Sequence, residues 1–286
     1  MSETAIVIPV FNGLGGLEGC IPSLAWAEGR GVHVVVVDAG STDGSVRYLE
    51  DVPWVTLVKG DPEMWWSAST NRGCRFSAQR WNIENFCILN HDCQLSEPTF
   101  DTLRLHAAAY PTDIVCSRVL AQGSERVVFG GGLVGRTGRL IVRGWGLNES
   151  RGNAAEKVSW CGGMGSLIPR ELFEALDGFD ELVFPHYYGD SDFSFRARQL
   201  GRSVWYCPAA VVRNDVRSTG ISVPKIGANV AHVITTLTDR RSVFNVRDTV
   251  NFYKRHAGWR FITALCAVYG EHLASSAKRV LLGRRA

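Results

Sequence analysis

Short apolar runs recur along the first half of this chain, separated by stretches with helical spacing. AIVIPV, from Ala5 to Val10, predicts a buried strand that opens onto the turn Phe11-Asn12-Gly13. Leu17 to Ala27 has helical spacing, and VHVVVV then predicts a second strand that closes at Asp38. Ser45 to Leu49 predicts a short helix leading into WVTLVK, a third strand. Ser67 to Arg80 predicts a helix entered through Trp65 and Trp66, FCILN a fourth strand, and Asp101 to Tyr110 a helix after Pro98. This β-α-β-α alternation predicts an α/β fold with a mostly parallel sheet covered on both faces.

The rhythm changes near Val127. FGGGLVGRTGRLIVRGWG is rich in glycine with short β-type runs, which suits hairpins better than further crossover units. A helix from Arg170 to Leu176, another ending at Leu200 and a strand SVWYCP follow. From about Ile226 the pattern is helical, with Asp239 to Arg255 and Trp259 to Leu282 as the candidates. The expected organisation is a main α/β domain over 1–225 and a helical extension over 226–286.

A chain of 286 residues can bury a sizeable core, and 45% apolar with 21% charged residues describes a globular protein. The net charge of +3 is too small to argue for nucleic acid as a partner. Eight cysteines without a CxxC pair read as buried thiols in a reducing cytoplasm, not as a disulfide framework or structural zinc site. The chain opens almost directly on a strand, so no signal peptide is expected, and no apolar run reaches the roughly 18 residues that span a bilayer. The final helix carries an apolar stripe (Trp259, Phe261, Ile262, Leu265, Val268, Tyr269, Leu273, Val280, Leu281 and Leu282), interrupted by Glu271, with Lys278, Arg279, Arg284 and Arg285 close by. Such a helix can lie on the inner face of an anionic membrane, or pack on the main domain or on a second subunit, as in a homodimer.

The candidate chemistry sits at acidic strand ends. VVVVDAGSTDGS ends an apolar strand at Asp38, CILNHDC does so at Asp92, and YYGDSDFSFR sets Asp190 and Asp192 beside aromatic residues. Ligands of parallel sheets collect outside the carboxyl ends of strands, so these segments point to one site for a charged, metal-bound ligand. GLGGLEG also follows a strand, but its glycines are out of register with G-x-G-x-x-G, and a dinucleotide enzyme leaves the DSD segment without a role.

IVIPVFNG, VVVVDAGSTDGS, ILNHDC, WCGGMGSLIPRELFEALDGFDE and YYGDSDFSFRARQLG occur in an order and spacing that resemble family 2 glycosyltransferases. The resemblance runs from about Ala5 to Asp215. It implies the GT-A fold and inverting transfer of a sugar from a nucleotide-sugar donor. WWSASTNRG and FPHYYGDSDF look like a bacterial subgroup of rhamnosyl- and other hexosyltransferases. The implied function is transfer from a UDP- or dTDP-sugar to a glycan or lipid-linked acceptor in surface polysaccharide synthesis.

The resemblance also implies roles for individual residues. Asp38 would accept the imide N–H of uracil or thymine, with Pro9, Val10 and Phe11 lining the base pocket and Asn12 on the ribose. Gly40, Trp66, Asn71, Asn90, His91, Trp160, Gly162 and Gly163 complete the expected donor site. Asp92 matches the last acid of the family's D-x-D motif and would ligate Mg²⁺ or Mn²⁺, while Asn90 replaces the first acid. Asp190 matches the catalytic base and Gly189 replaces the acid before it; Asp192 and Tyr188 would serve the acceptor side or support the base. Plainer roles stay open: Asp38 and Ser41 as turn residues, His91 as a packing residue, the tryptophans as core, and Asp190 as helix cap with Asp192 as base. Asn214 or Asp215 stands where the family often has a metal-binding histidine. Gly189 and Asn90 also leave open a catalytically silent, nucleotide-sugar-binding subunit. A sugar-nucleotide pyrophosphorylase would need a basic residue in its first loop, and FNGLGGLEG has none.

Overall fold

In the computed structural model, which describes residues 3–148, 152, 154–216 and 230–283, the apolar runs become adjacent strands. β1 (Glu3–Val10) lies between β2 (Val32–Asp38) and β4 (Ile83–Leu89), parallel to both, and β3 (Val55–Lys59) extends the sheet beyond β2. α1 (Leu14–Cys20), α2 (Ser45–Glu50) and α3 (Trp66–Arg80) lie between these strands in sequence. Ala5, Ile6, Val7 and Ile8 are all fully buried, which is why β1 reads as an unbroken apolar run: both faces of the strand are covered. The helix expected over Leu17 to Ala27 is divided. α1 stops at Cys20 and a 3-10 turn takes over at Pro22–Ala27, because Pro22 has no N–H with which to continue the helix.

The other half of the sheet is mixed. β5 (Cys93–Gln94) and α4 (Glu97–Ala109) lead to β6 (Ile114–Ala121), whose hairpin partner is β7 (Val127–Phe129). β8 (Gly132–Val134) and β9 (Leu140–Val142) form a separate two-stranded ribbon, as the glycine-rich pattern suggested. β10 (Glu156–Val158), β11 (Met164–Pro169) and β12 (Val204–Asn214) complete the order β10-β12-β6-β11-β4-β1-β2-β3. β11 runs antiparallel between β4 and β6, and both β6 and β11 escaped the sequence pattern. Ser117 and Arg118 interrupt the apolar run of β6, yet Ser117 is buried because its Oγ donates to the Met164 carbonyl at 2.7 Å.

α5 (Arg170–Ala175) and α6 (Gly189–Gln199) flank this half, and α7 (Val230–Thr238), α8 (Val246–His256) and α9 (Phe261–Gly283) follow β12. The helix expected from Asp239 begins only at Val246, where the Asn245 side chain caps it by accepting from the Asp248 N–H at 3.1 Å. Phe252, Tyr253, Ala264 and Val268 pack with Phe184 and Tyr188 in a second apolar cluster, so α8 and α9 rest on the sheet-bearing body. The expected boundary at 225 and 226 lies outside the described residues, as do Arg284 and Arg285. No helix among the described residues is long and apolar enough to cross a membrane.

Candidate active site

From β1 the chain steps to β2 and β3 on one side, then returns to β4 on the other. That reversal leaves a crevice at the carboxyl ends of β1 and β4, where open α/β sheets place their ligands. A cavity of about 940 Å³ opens there. Pro9, Val10, Phe11 and Asn12 from the end of β1 line it, together with Asn90, His91 and Asp92 from the end of β4. Trp66, Gly163 and Asp190 complete the expected residues that reach it.

Asp190 is held by backbone. Its Oδ2 accepts from the Gly163 N–H at 3.2 Å and its Oδ1 from its neighbour's Ser191 N–H at 2.7 Å. Burial pushes its carboxyl above the ordinary carboxylate range, and these hydrogen bonds pull back without cancelling the rise. Gly189 is a glycine for a steric reason: a Cβ there would sit 2.4 Å from Ser67 Oγ, where α6 abuts the start of α3. Tyr187 lines the cavity, and burial, then Asp190, then Asp92 push its phenol up to about 12. The two carboxylates therefore share one electrostatic neighbourhood.

Asn90 Oδ1 accepts from Trp66 Nε1 at 2.9 Å, which ties the residue replacing the family's first acid to the indole. The indole in turn lies on Gly163, where a Cβ would approach within 2.3 Å of Trp66 Cζ2. Gly13 and Gly16 have the same logic: a Cβ on either would meet His91 Cδ2, at 2.5 and 2.8 Å. The glycines that imitated a dinucleotide loop are thus the seat of His91.

Seven expected residues do not line the cavity. Asp38 is buried, with Oδ1 accepting from the Gly40 and Ser41 N–H groups at 2.9 Å each, while Oδ2 is buried without a hydrogen-bond partner among the described residues. Gly40, at φ +82°, packs on Pro62. Asn71 binds the Phe179 backbone from both ends of its amide and also donates to Glu181. Trp160 lies on Gly132 and donates to the Leu133 carbonyl at 3.2 Å. Gly162 sits beside Asp190 and its carbonyl accepts from Ser166.

The last two face the C-terminal helices. Asp192 has no exposed surface and accepts from Arg196 at 2.7 Å, Arg255 at 2.9 Å and His256 at 2.7 Å. Burial alone would raise its carboxyl, but the His256 bond and the arginine charges hold it below the ordinary range. Tyr188, at φ +67°, stacks on Phe252 and donates to the Val243 carbonyl, so Tyr187 and not Tyr188 faces the cleft. Sequence reasoning also missed His186, Met64, Pro62 and the run Asp239, Arg240 and Arg241, which all line the cavity.

The donor set fits a divalent cation held jointly with a ligand. Among the described residues no group of three or more His, Cys, Asp and Glu side chains could form a cage. Mg²⁺ and Mn²⁺ need only one or two carboxylates when phosphate oxygens supply the rest. Asp92 Oδ1 faces the Cys93 thiol at 3.7 Å, and Oδ2 has no hydrogen-bond partner among the described residues. Asn214 and Asp215 brace the Asp92 carbonyl instead, the Asp215 N–H at 2.8 Å and Asn214 Nδ2 at 3.4 Å.

The same fold recurs in solved glycosyltransferases. The mannosyltransferase PcManGT from Pyrobaculum calidifontis, in complex with GDP-Man and Mn²⁺, superposes with a TM-score of 0.55 at 18% identity, covering 99% of this chain and 79% of that one. GalNAc-T7 with UDP, GalNAc and Mn²⁺ gives a TM-score of 0.61 at 14% identity over 75% of this chain, which spans only 44% of that protein. The fold is the GT-A fold. The profile described as Glycosyl transferase family 2 matches residues 5–174, more than half of the sequence, and the chain belongs to that family. An N-acetylglucosaminyl-diphospho-decaprenol L-rhamnosyltransferase of Mycobacterium tuberculosis is 26% identical over 229 residues, 71% of this chain and 73% of the relative.

Proposed function

We propose that this glycosyltransferase moves a sugar, with inversion, from a UDP- or dTDP-sugar to a lipid-linked or glycan acceptor in surface polysaccharide synthesis. The observation that carries the reading is Asp190, a carboxylate of raised basicity in the same cleft as Asp92. Asp190 takes the proton of the acceptor hydroxyl as its oxygen attacks the anomeric carbon from the face opposite the leaving diphosphate. The proton ends on Asp190, the C–O bond to the diphosphate breaks, and the configuration inverts. Gly163 and Ser191 hold the carboxylate for that task.

Asp92 would hold Mg²⁺ or Mn²⁺, whose chemistry is to neutralise charge on the leaving diphosphate. Phe11, 53% exposed at the end of β1, offers a face for the base, and the unpartnered Asp38 Oδ2 supports an imide N–H as its missing donor. The name of the mycobacterial relative favours an acceptor sugar joined to a lipid through diphosphate. The exposed face of α9, with Ile262 and Leu273, and Trp259 just before it support a peripheral seat on the membrane that would carry it.

The test is release of nucleoside diphosphate from a panel of UDP- and dTDP-sugars with Mn²⁺, with and without a lipid-diphosphate acceptor. Acceptor-stimulated release supports the transferase. Nucleotide binding without release from any sugar would instead mark a silent binding subunit.

A further inference from the structure

The C-terminal segment brings to this cleft a cation that the mechanism above does not use. Between α7 and α8 the chain runs Asp239-Arg240-Arg241, and all three residues line the cavity with His186 and Tyr187. Arg241 is committed. Its Nε and Nη2 grip the two Asp239 carboxylate oxygens at 3.1 and 2.8 Å, a two-pronged pairing that leaves the couple close to neutral. His186 adds no charge near neutral pH, because burial, and then the Arg241 charge, push it down to about 4.

Arg240 is different. Among the described residues it makes no ion pair and no hydrogen bond, although the buried Asp248 carboxyl feels its charge. A guanidinium presents its charge in a planar fork that matches phosphate oxygens. Asp92 and Asp190 line the same cleft and would repel a phosphate-bearing ligand unless cations offset them.

We propose that Arg240 binds a diphosphate group in this cleft, so that the C-terminal segment completes the substrate site. This rests on the transferase reading. The diphosphate has two possible sources: the nucleoside diphosphate of the donor, or the diphosphate that joins the acceptor sugar to its lipid.

Calorimetric titrations of the full chain separate them. The first arm titrates UDP and dTDP in Mn²⁺. The second titrates decyl diphosphate with the better nucleotide held at saturation, so that the donor position is filled. Arg240→Ala should lose about tenfold or more in one arm, and Arg240→Lys less, since a charge-assisted hydrogen bond is at stake. Loss in the first arm assigns the donor, and loss in the second the acceptor. A melting curve that matches wild type shows the variant is folded. If wild type binds a nucleotide and Arg240→Ala matches it within twofold in both arms, the Arg240 site is wrong while the transferase reading stands. If wild type binds neither nucleotide, the transferase reading itself fails and the proposal with it.

Discussion

The Gly163 N–H donates to Asp190 Oδ2 at 3.2 Å, joining the glycines before β11 to the first turn of α6. That bond fixes a carboxylate that burial makes more basic than an ordinary aspartate. The same glycine carries the Trp66 indole, which is tied to Asn90 at the end of β4. One backbone position therefore sets the base and one wall of the cleft.

Asp190→Asn should keep nucleoside diphosphate affinity and lose transfer by about 10²-fold or more, the usual contribution of a positioned base. The sign of the pH effect follows from the raised pKa. The base works only when deprotonated, so kcat/KM should rise with pH through a midpoint above the ordinary aspartate value of about 3.9. The residual activity of Asp190→Asn should lack that limb. Equal rates for variant and wild type, measured as nucleoside diphosphate release with acceptor, would remove Asp190 from the mechanism.

Asp192 has the opposite environment and the opposite pH signature. Its carboxyl is held below the ordinary range, so the stability it contributes is fully present above its unfolded pKa, about 3.9, and is lost as pH falls through its lower folded value. Asp192→Ala strips partners from Arg196, Arg255 and the buried His256 and should cost about 2–3 kcal/mol at neutral pH. Denaturant titrations should show that loss, with less acid sensitivity than wild type below about pH 4. Unchanged stability with abolished transfer would make Asp192 the base instead.

Asp92→Ala should weaken UDP or dTDP binding in Mn²⁺ by about tenfold or more, and a chelator should reproduce that loss in wild type. Asp38→Ala should weaken the same nucleotides whether or not metal is present. Full transfer by wild type in excess chelator would show that this chain works without the cation.

Sequence patterning was enough to place β1 to β4, because strands covered on both faces must be apolar throughout, and their ends mark the crevice. It was enough to place Asp92 and Asp190 in that crevice as well. It could not separate Tyr187 from Tyr188, since the left-handed turn at Tyr188 stacks that ring on Phe252 and leaves Tyr187 to line the cleft. It could not find Arg240 either: nothing local to a basic pair between two helices says that it meets a cleft formed by strands far upstream. Ser117 hid β6 for a related reason, since the partner that satisfies its hydroxyl lies on β11. Gly13 and Gly16 looked like ligand-binding glycines because close approach to a side chain and close approach to a phosphate require the same missing Cβ.

The last prediction concerns α9. Its inner face is occupied: Ala264, Val268 and His272 are buried, and His272 stacks on Phe244 with ring centroids 4.0 Å apart. Its outer face leaves Ile262 and Leu273 63% and 51% exposed, with Trp259, 84% exposed, just before the helix and Lys278 exposed near its end. Apolar side chains beside exposed cations are what an anionic headgroup layer attracts, and a Trp side chain suits that interface. The full-length protein should sediment with phosphatidylglycerol vesicles at low salt and less so as salt screens the basic residues. Joint replacement Trp259→Ser and Ile262→Ser should reduce that binding about tenfold while leaving nucleotide affinity and melting temperature unchanged, because neither side chain packs in the core. If wild type ignores such vesicles at low salt, the role of α9 is confined to covering the body through Ala264, Val268 and His272.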